Sequence, residues 1–65
     1  MNERLKQARL DKGLKIKDVA DILNTTSRSI ARYEDGTREP SIELLAKFCK
    51  LYGVSADFLI GIADY

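Results

Sequence analysis

Histidine is absent from this chain. With it go the usual general base, the side chain that titrates nearest neutral pH and the commonest metal ligand. Cysteine occurs once, as Cys49, which excludes an internal disulfide framework and leaves no thiolate cluster for zinc. A lone thiol fits a reducing compartment, and the cytoplasm is the expected location. No apolar run is long enough to span a bilayer, and no signal-peptide core lies near Met1, so no membrane partner is expected. The ten acidic residues are scattered along polar stretches. No paired carboxylates and no nucleophile-and-base pair stand out among them, so an enzyme is not expected, nor a metal, a cofactor or a small-molecule ligand.

What is present is 65 residues with a net charge of +1, enough for one domain over 1–65 with a small core and modest stability. The charge is unevenly spread. Residues 1–38 carry nine Lys or Arg against six acids, net +3, and residues 39–65 are net −2. Ordinary solvated faces explain such a split equally well when charge is considered alone.

Local punctuation predicts five short helices. Asn2 is a fair N-cap for the first, in which Leu5 and Ala8 share a face, and Gly13 stops it. A second is expected over Ile16 to Leu23, with Val19, Ala20 and Leu23 inward. Lys15 stands at its N-cap, and Leu14 and Val19 take the positions of a hydrophobic staple. Asn24 tolerates the left-handed conformation and suits a tight turn. Thr26 is a good N-cap for a third helix from Ser27 to about Glu34, stopped by Gly36, and 35–40 reads as a polar loop. Ser41 caps a fourth helix with Ile42, Leu45, Phe48 and Cys49 on one side and Leu44 and Leu51 flanking, and Gly53 stops it. Ser55 caps a fifth, which carries Phe58 and Leu59 as core residues with Val54 as its staple partner. Tyr33 and Tyr52 are expected to be half-buried, and Cys49 to fill a small space in the core. No β-alternation persists and no repeat occurs.

The connection between the second and third helices is informative. Asn24, Thr25 and Thr26 are too few to lay the two helices side by side and antiparallel, so they are set at a steep angle, as in a helix-turn-helix unit. Ala20, at their closest approach, is suitably small. A generic pair in a helical bundle is the competing reading at this level.

Longer motifs favour the first reading. From Glu3 to Gly61 the chain resembles the phage-repressor and Cro-like helix-turn-helix domains, the xenobiotic-response-element family. The matching pieces are Arg4-Leu5-Lys6 with Arg9, then Lys12-Gly13-Leu14, then Val19-Ala20 and Leu23. They continue through Ile30-Ala31-Arg32-Tyr33-Glu34-Asp35-Gly36, Pro40-Ser41, Tyr52-Gly53-Val54-Ser55 and Phe58-Leu59. The resemblance implies an all-α, five-helix, lambda-repressor-like domain whose third helix enters the major groove of duplex DNA, usually as a two-fold dimer.

It also implies roles. Ser27, Arg28 and Arg32 match base-reading positions, where an Arg donates twice to guanine O6 and N7; for the two arginines the competing reading is a solvated pair. Lys15, Lys17, Thr26, Arg38 and Arg9 are candidate phosphate contacts, and for Lys15, Lys17 and Arg38 a plain solubilising charge is the alternative. Arg9 and Glu34 match a partly buried ion pair between the first and third helices. The chain departs from the family at Lys15-Ile16, where Ser or Thr followed by Gln is common. Lys15 caps poorly, and Ile16 offers DNA only apolar contact, which points to weaker binding or reliance on a dimer. Ile60 and Ile62, with Tyr65 nearby, are candidates for the contact in a weak homodimer, or else form a flap on their own molecule. The function implied is sequence-specific transcriptional regulation, most often repression by promoter occupancy, since 65 residues leave no room for a separate effector. The alternative is a module of the same fold that binds a protein, as an antitoxin or an antirepressor target.

Overall fold

A computed structural model describes residues 1–64. Its elements are α1 (Asn2–Asp11), α2 (Ile16–Ile22), α3 (Ser27–Asp35), α4 (Ile42–Tyr52) and α5 (Ala56–Ile60), with no strand among the described residues. Three of the five helices begin at hydroxyl caps. Thr26 Oγ1 accepts the Ser29 N–H at 3.1 Å, Ser41 Oγ the Leu44 N–H at 3.2 Å and Ser55 Oγ the Phe58 N–H at 3.0 Å. Each occupies one of the donors that a helix start leaves unpaired.

The other two starts differ. Met1, not Asn2, stands at the N-cap of α1, with no side-chain cap and with Leu5 N–H bonded to Met1 O at 3.1 Å. Asn2 is the first helical residue, and its amide lies against Gly36. A Cβ built on Gly36 would stand 3.3 Å from the Asn2 side chain, and the backbone there has φ of +84°. Both facts favour glycine at the end of α3. At α2, the Lys15 ammonium has no lone pair to offer an N–H. The Asp18 carboxylate supplies the reverse half of a capping box and accepts the Lys15 N–H at 2.9 Å.

The turn between α2 and α3 is closed by Thr25 N–H to Ala20 O at 2.9 Å, with Asn24 at φ of +55°. Ala20 is 2 % exposed, so the crossing leaves no room for a larger side chain. The core gathers Leu5 and Ala8 of α1, Val19 of α2, Ile30 and Tyr33 of α3, Phe48 and Tyr52 of α4, and Leu59 of α5. Phe48 is the hub. Tyr33 meets it edge-on at 6.1 Å between ring centres and Tyr52 stacks on it at 5.8 Å, geometries that add to the gain from burial.

Four expectations about burial are corrected. Tyr33 and Tyr52 are buried rather than half-buried, because Phe48 draws both rings inward. Ile42, expected on the inner face, is 86 % exposed in the first turn of α4. Cys49 only borders the core and is half-buried. Phe58 is also half-buried, because its outer face is covered by a cation. The Arg4 guanidinium sits 4.7 Å from its ring centre, and Arg4 Nη1 donates to Phe58 O at 3.1 Å and to Ala63 O. No helix among the described residues is long and apolar enough to cross a membrane.

Candidate nucleic-acid interface

The interface is built on the start of α3. Thr26 Oγ1 accepts the Ser29 N–H and also lies 3.0 Å from Ser29 Oγ, which locks the first turn from both sides. Ser29 was not singled out from the sequence, although a Ser three residues after a Thr cap is itself the signal for such a pair. Ser27 and Arg28 follow the cap, and both are exposed. Arg32, one turn further on, is exposed too. Ile30 and Tyr33, on the face of the same helix opposite the two arginines, are 0 % and 8 % exposed. The helix is therefore anchored on one side and presents two arginines on the other, with Ser27 exposed at its first turn. Among the described residues neither arginine makes a salt bridge.

Arg9 is different. Its Nε donates to Glu34 Oε2 at 2.8 Å, Nη2 to Glu34 Oε1 at 3.1 Å and Nη1 to Leu14 O at 3.0 Å. The two side chains are only 9 % and 8 % exposed. Hydrogen bonding to the Glu34 carboxylate lifts the Arg9 pKa above its ordinary value, against the opposing effect of burial. All three guanidinium nitrogens are occupied inside the protein. Arg9 thus ties α1 to α3 and to the Leu14 turn, and it is not among the cations turned outward.

Those cations flank α3. Lys15 and Lys17, both exposed, stand at the start of α2. Ile16 between them packs partly against the core, so the residue that departs from the family pattern faces inward. Arg38, exposed in the loop after α3, holds its guanidinium 5.6 Å from the centre of the Tyr33 ring. That loop is ordered by its own bonds. Asp35 Oδ1 accepts the Thr37 N–H at 2.8 Å and the Thr37 hydroxyl, which together hold the Asp35 carboxyl below the usual carboxylate range.

Ile60 and Ile62 are 50 % and 74 % exposed, so their own molecule leaves much of both side chains uncovered. Their backbone is nevertheless fixed, by Ile62 N–H to Asp57 O at 2.9 Å and by Arg4 on Ala63 O. Tyr65, named with them as a candidate contact, lies outside the described residues. No group of three or more His, Cys, Asp or Glu able to hold a metal occurs among the described residues.

Comparison with known proteins shows the family. A helix-turn-helix family model matches residues 5–59. The chain is 41 % identical over 58 residues to an uncharacterized HTH-type transcriptional regulator, YonR, derived from the SPbeta prophage in Bacillus subtilis, covering 89 % of this chain and 54 % of that one. It is 38 % identical over 61 residues to the HTH-type transcriptional regulator ImmR of the same organism (94 % and 48 %), and 36 % identical over 59 residues to AnsR (91 % and 51 %). The chain spans about half the length of these relatives. With the family match running from Leu5 in α1 to Leu59 in α5, this chain belongs to the helix-turn-helix family.

Proposed function

We propose that this chain binds duplex DNA sequence-specifically and regulates transcription, as a repressor that occupies its operator. α3 lies in the major groove. Arg28 reads a guanine, Ser27 an adjacent base edge, and Arg32 a further base or its phosphate. Lys15, Lys17, Thr26 and Arg38 take the flanking phosphates, which supply affinity without sequence information. Arg9 braces α3 from behind. Two copies bind paired half-sites, with Ile60 and Ile62 meeting across the two-fold axis, and the setting is the cytoplasm.

The observation that carries this reading is the division of α3 into a buried face, Ile30 and Tyr33, and an outward face, Arg28 and Arg32, with Ser27 exposed at a first turn held by the doubly bonded Thr26 cap. A helix so held keeps its donors in place before DNA arrives. The names of the relatives, transcriptional regulators by title, support the same conclusion.

Selection of sites from a random duplex library tests it, with and without Arg28→Ala, at one near-physiological salt concentration. Enrichment of a palindrome with half-sites one helical turn apart, lost in the variant, is the expected result. No enrichment above salt-sensitive background would overturn the reading and favour a protein-binding module, the alternative use of this fold.

A further inference from the structure

The loop between α3 and α4 holds an arrangement that phosphate binding by itself does not require. Arg38 is an exposed surface arginine, yet its guanidinium is held over an aromatic ring at 5.6 Å from the ring centre. The ring belongs to Tyr33, 8 % exposed and set edge-on against the Phe48 hub at 79°. A ring seated in the core is a rigid platform, and a planar guanidinium over it is attracted by its π-face.

The backbone that carries Arg38 is fixed as well. Arg38 N–H bonds back to Arg32 O at 3.2 Å, and Asp35 holds Thr37. The Asn2 side chain of α1 stands close to Gly36, within 3.3 Å of where a Cβ would be. A small cavity of about 90 Å³ remains between Asn2, Tyr33, Arg38 and Pro40. Glu39 also borders it but makes no salt bridge with Arg38 among the described residues, so the cation has not been neutralised locally.

We propose that Tyr33 is a positioning residue for DNA binding: its ring holds the Arg38 guanidinium in the orientation in which it meets a backbone phosphate. The proposal rests on the reading of Arg38 as a phosphate contact. An arginine free in solution gives up much of its rotamer freedom when it grips a phosphate. Here that ordering is largely complete before binding, and what DNA adds is the charge-assisted hydrogen bonds. Tyr33 thus joins the core to the reading surface.

The test uses the full chain and a short duplex of mixed sequence, because phosphate contacts do not depend on the operator. Binding is measured over a range of salt concentrations for the wild type, Arg38→Ala, Tyr33→Phe, Tyr33→Leu and the double variant. Arg38→Ala should weaken binding and flatten the salt slope by about one charge. Tyr33→Leu should weaken it about 2- to 10-fold, the range that follows from disordering one long side chain. It should cause no further loss on top of Arg38→Ala, and Tyr33→Phe, which keeps the ring, should bind like the wild type. Losses for Tyr33→Leu that are equal with and without Arg38 would overturn the positioning role alone. An Arg38→Ala variant that binds unchanged would instead remove the phosphate contact, and the proposal with it. Should Tyr33→Leu fail to fold, the wild type still decides the matter by NMR. Arg38 side-chain protons shifted upfield by the ring current relative to those of Arg28 support the platform, and equivalent shifts for both arginines overturn it.

Discussion

Arg9 of α1 and Glu34 of α3 meet through two hydrogen bonds, Nε to Oε2 at 2.8 Å and Nη2 to Oε1 at 3.1 Å, with both side chains almost out of water. A pair of this kind contributes little relative to apolar residues of similar volume, but losing one partner strands a charge in a poorly solvated place. Arg9→Ala or Glu34→Ala should therefore lower stability by about 3–5 kcal/mol. A double replacement by leucine should be much closer to wild type. Urea denaturation followed by circular dichroism checks this, and a double variant as unstable as the singles would refute it.

The Arg28 side chain and the flanking lysines should separate in their effects on DNA. Arg28→Ala should cost about 1–3 kcal/mol on the selected site and blur preference at one base pair. Lys17→Ala should weaken all sequences alike and lower the salt slope by about one. Titrations of specific and random duplexes at several salt concentrations distinguish the two. Equal losses on both duplexes for Arg28→Ala would remove it from the base-reading set.

The Thr26 cap should matter for stability as well as binding. Thr26→Ala deprives the Ser29 N–H of its acceptor and should cost about 0.5–2 kcal/mol. Thr26→Ser keeps the oxygen and should recover most of the loss. Thermal unfolding of both variants reads this directly.

Tyr52 buries a hydroxyl that has no hydrogen-bond partner, and the residue is 4 % exposed. Removing an unsatisfied buried group relieves a penalty, so Tyr52→Phe should raise stability by about 1 kcal/mol. Burial, and then the nearby Glu34 charge, push the Tyr52 pKa from 10.0 up to about 12. The folded protein therefore holds this proton more tightly than the unfolded chain. The resulting stabilisation is complete below pH 10 and is lost as pH rises toward 12. Thermal unfolding between pH 9 and pH 12 should show the wild type falling more steeply than Tyr52→Phe. Parallel curves would mean that the phenol is better solvated than the structure has it.

Ile60 and Ile62 are the largest apolar groups exposed near α5. Ile60→Glu with Ile62→Glu should leave the fold intact while shifting sedimentation toward the monomer and weakening binding to paired half-sites more than to a single one. A wild type that is monomeric both free and on a palindrome would rule out the two-fold contact.

The local features of this protein were legible from short stretches of chain. Thr26, Ser41 and Ser55 cap as expected because a cap bonds to a backbone N–H three residues on, and Asn24 turns because its own backbone tolerates positive φ. The outward placement of Arg28 and Arg32 follows from the inward placement of Ile30 on the same helix, whereas Ser27 is exposed because it opens the helix. The pairing of Arg9 with Glu34 was suggested by the family pattern, not by spacing along one helix. Tertiary structure decided the rest. Asn2 left its capping role to brace Gly36, Arg4 came to lie over Phe58, and Ile42 stayed in water. Tyr33 and Tyr52 sank into the core beside Phe48, and the Tyr33 ring became a seat for Arg38. The physical reason is the reach of each interaction. Caps and turns close within a few residues and are encoded there, whereas the Arg4 and Arg9 bonds join residues 54 and 25 positions apart and exist only once the helices have packed.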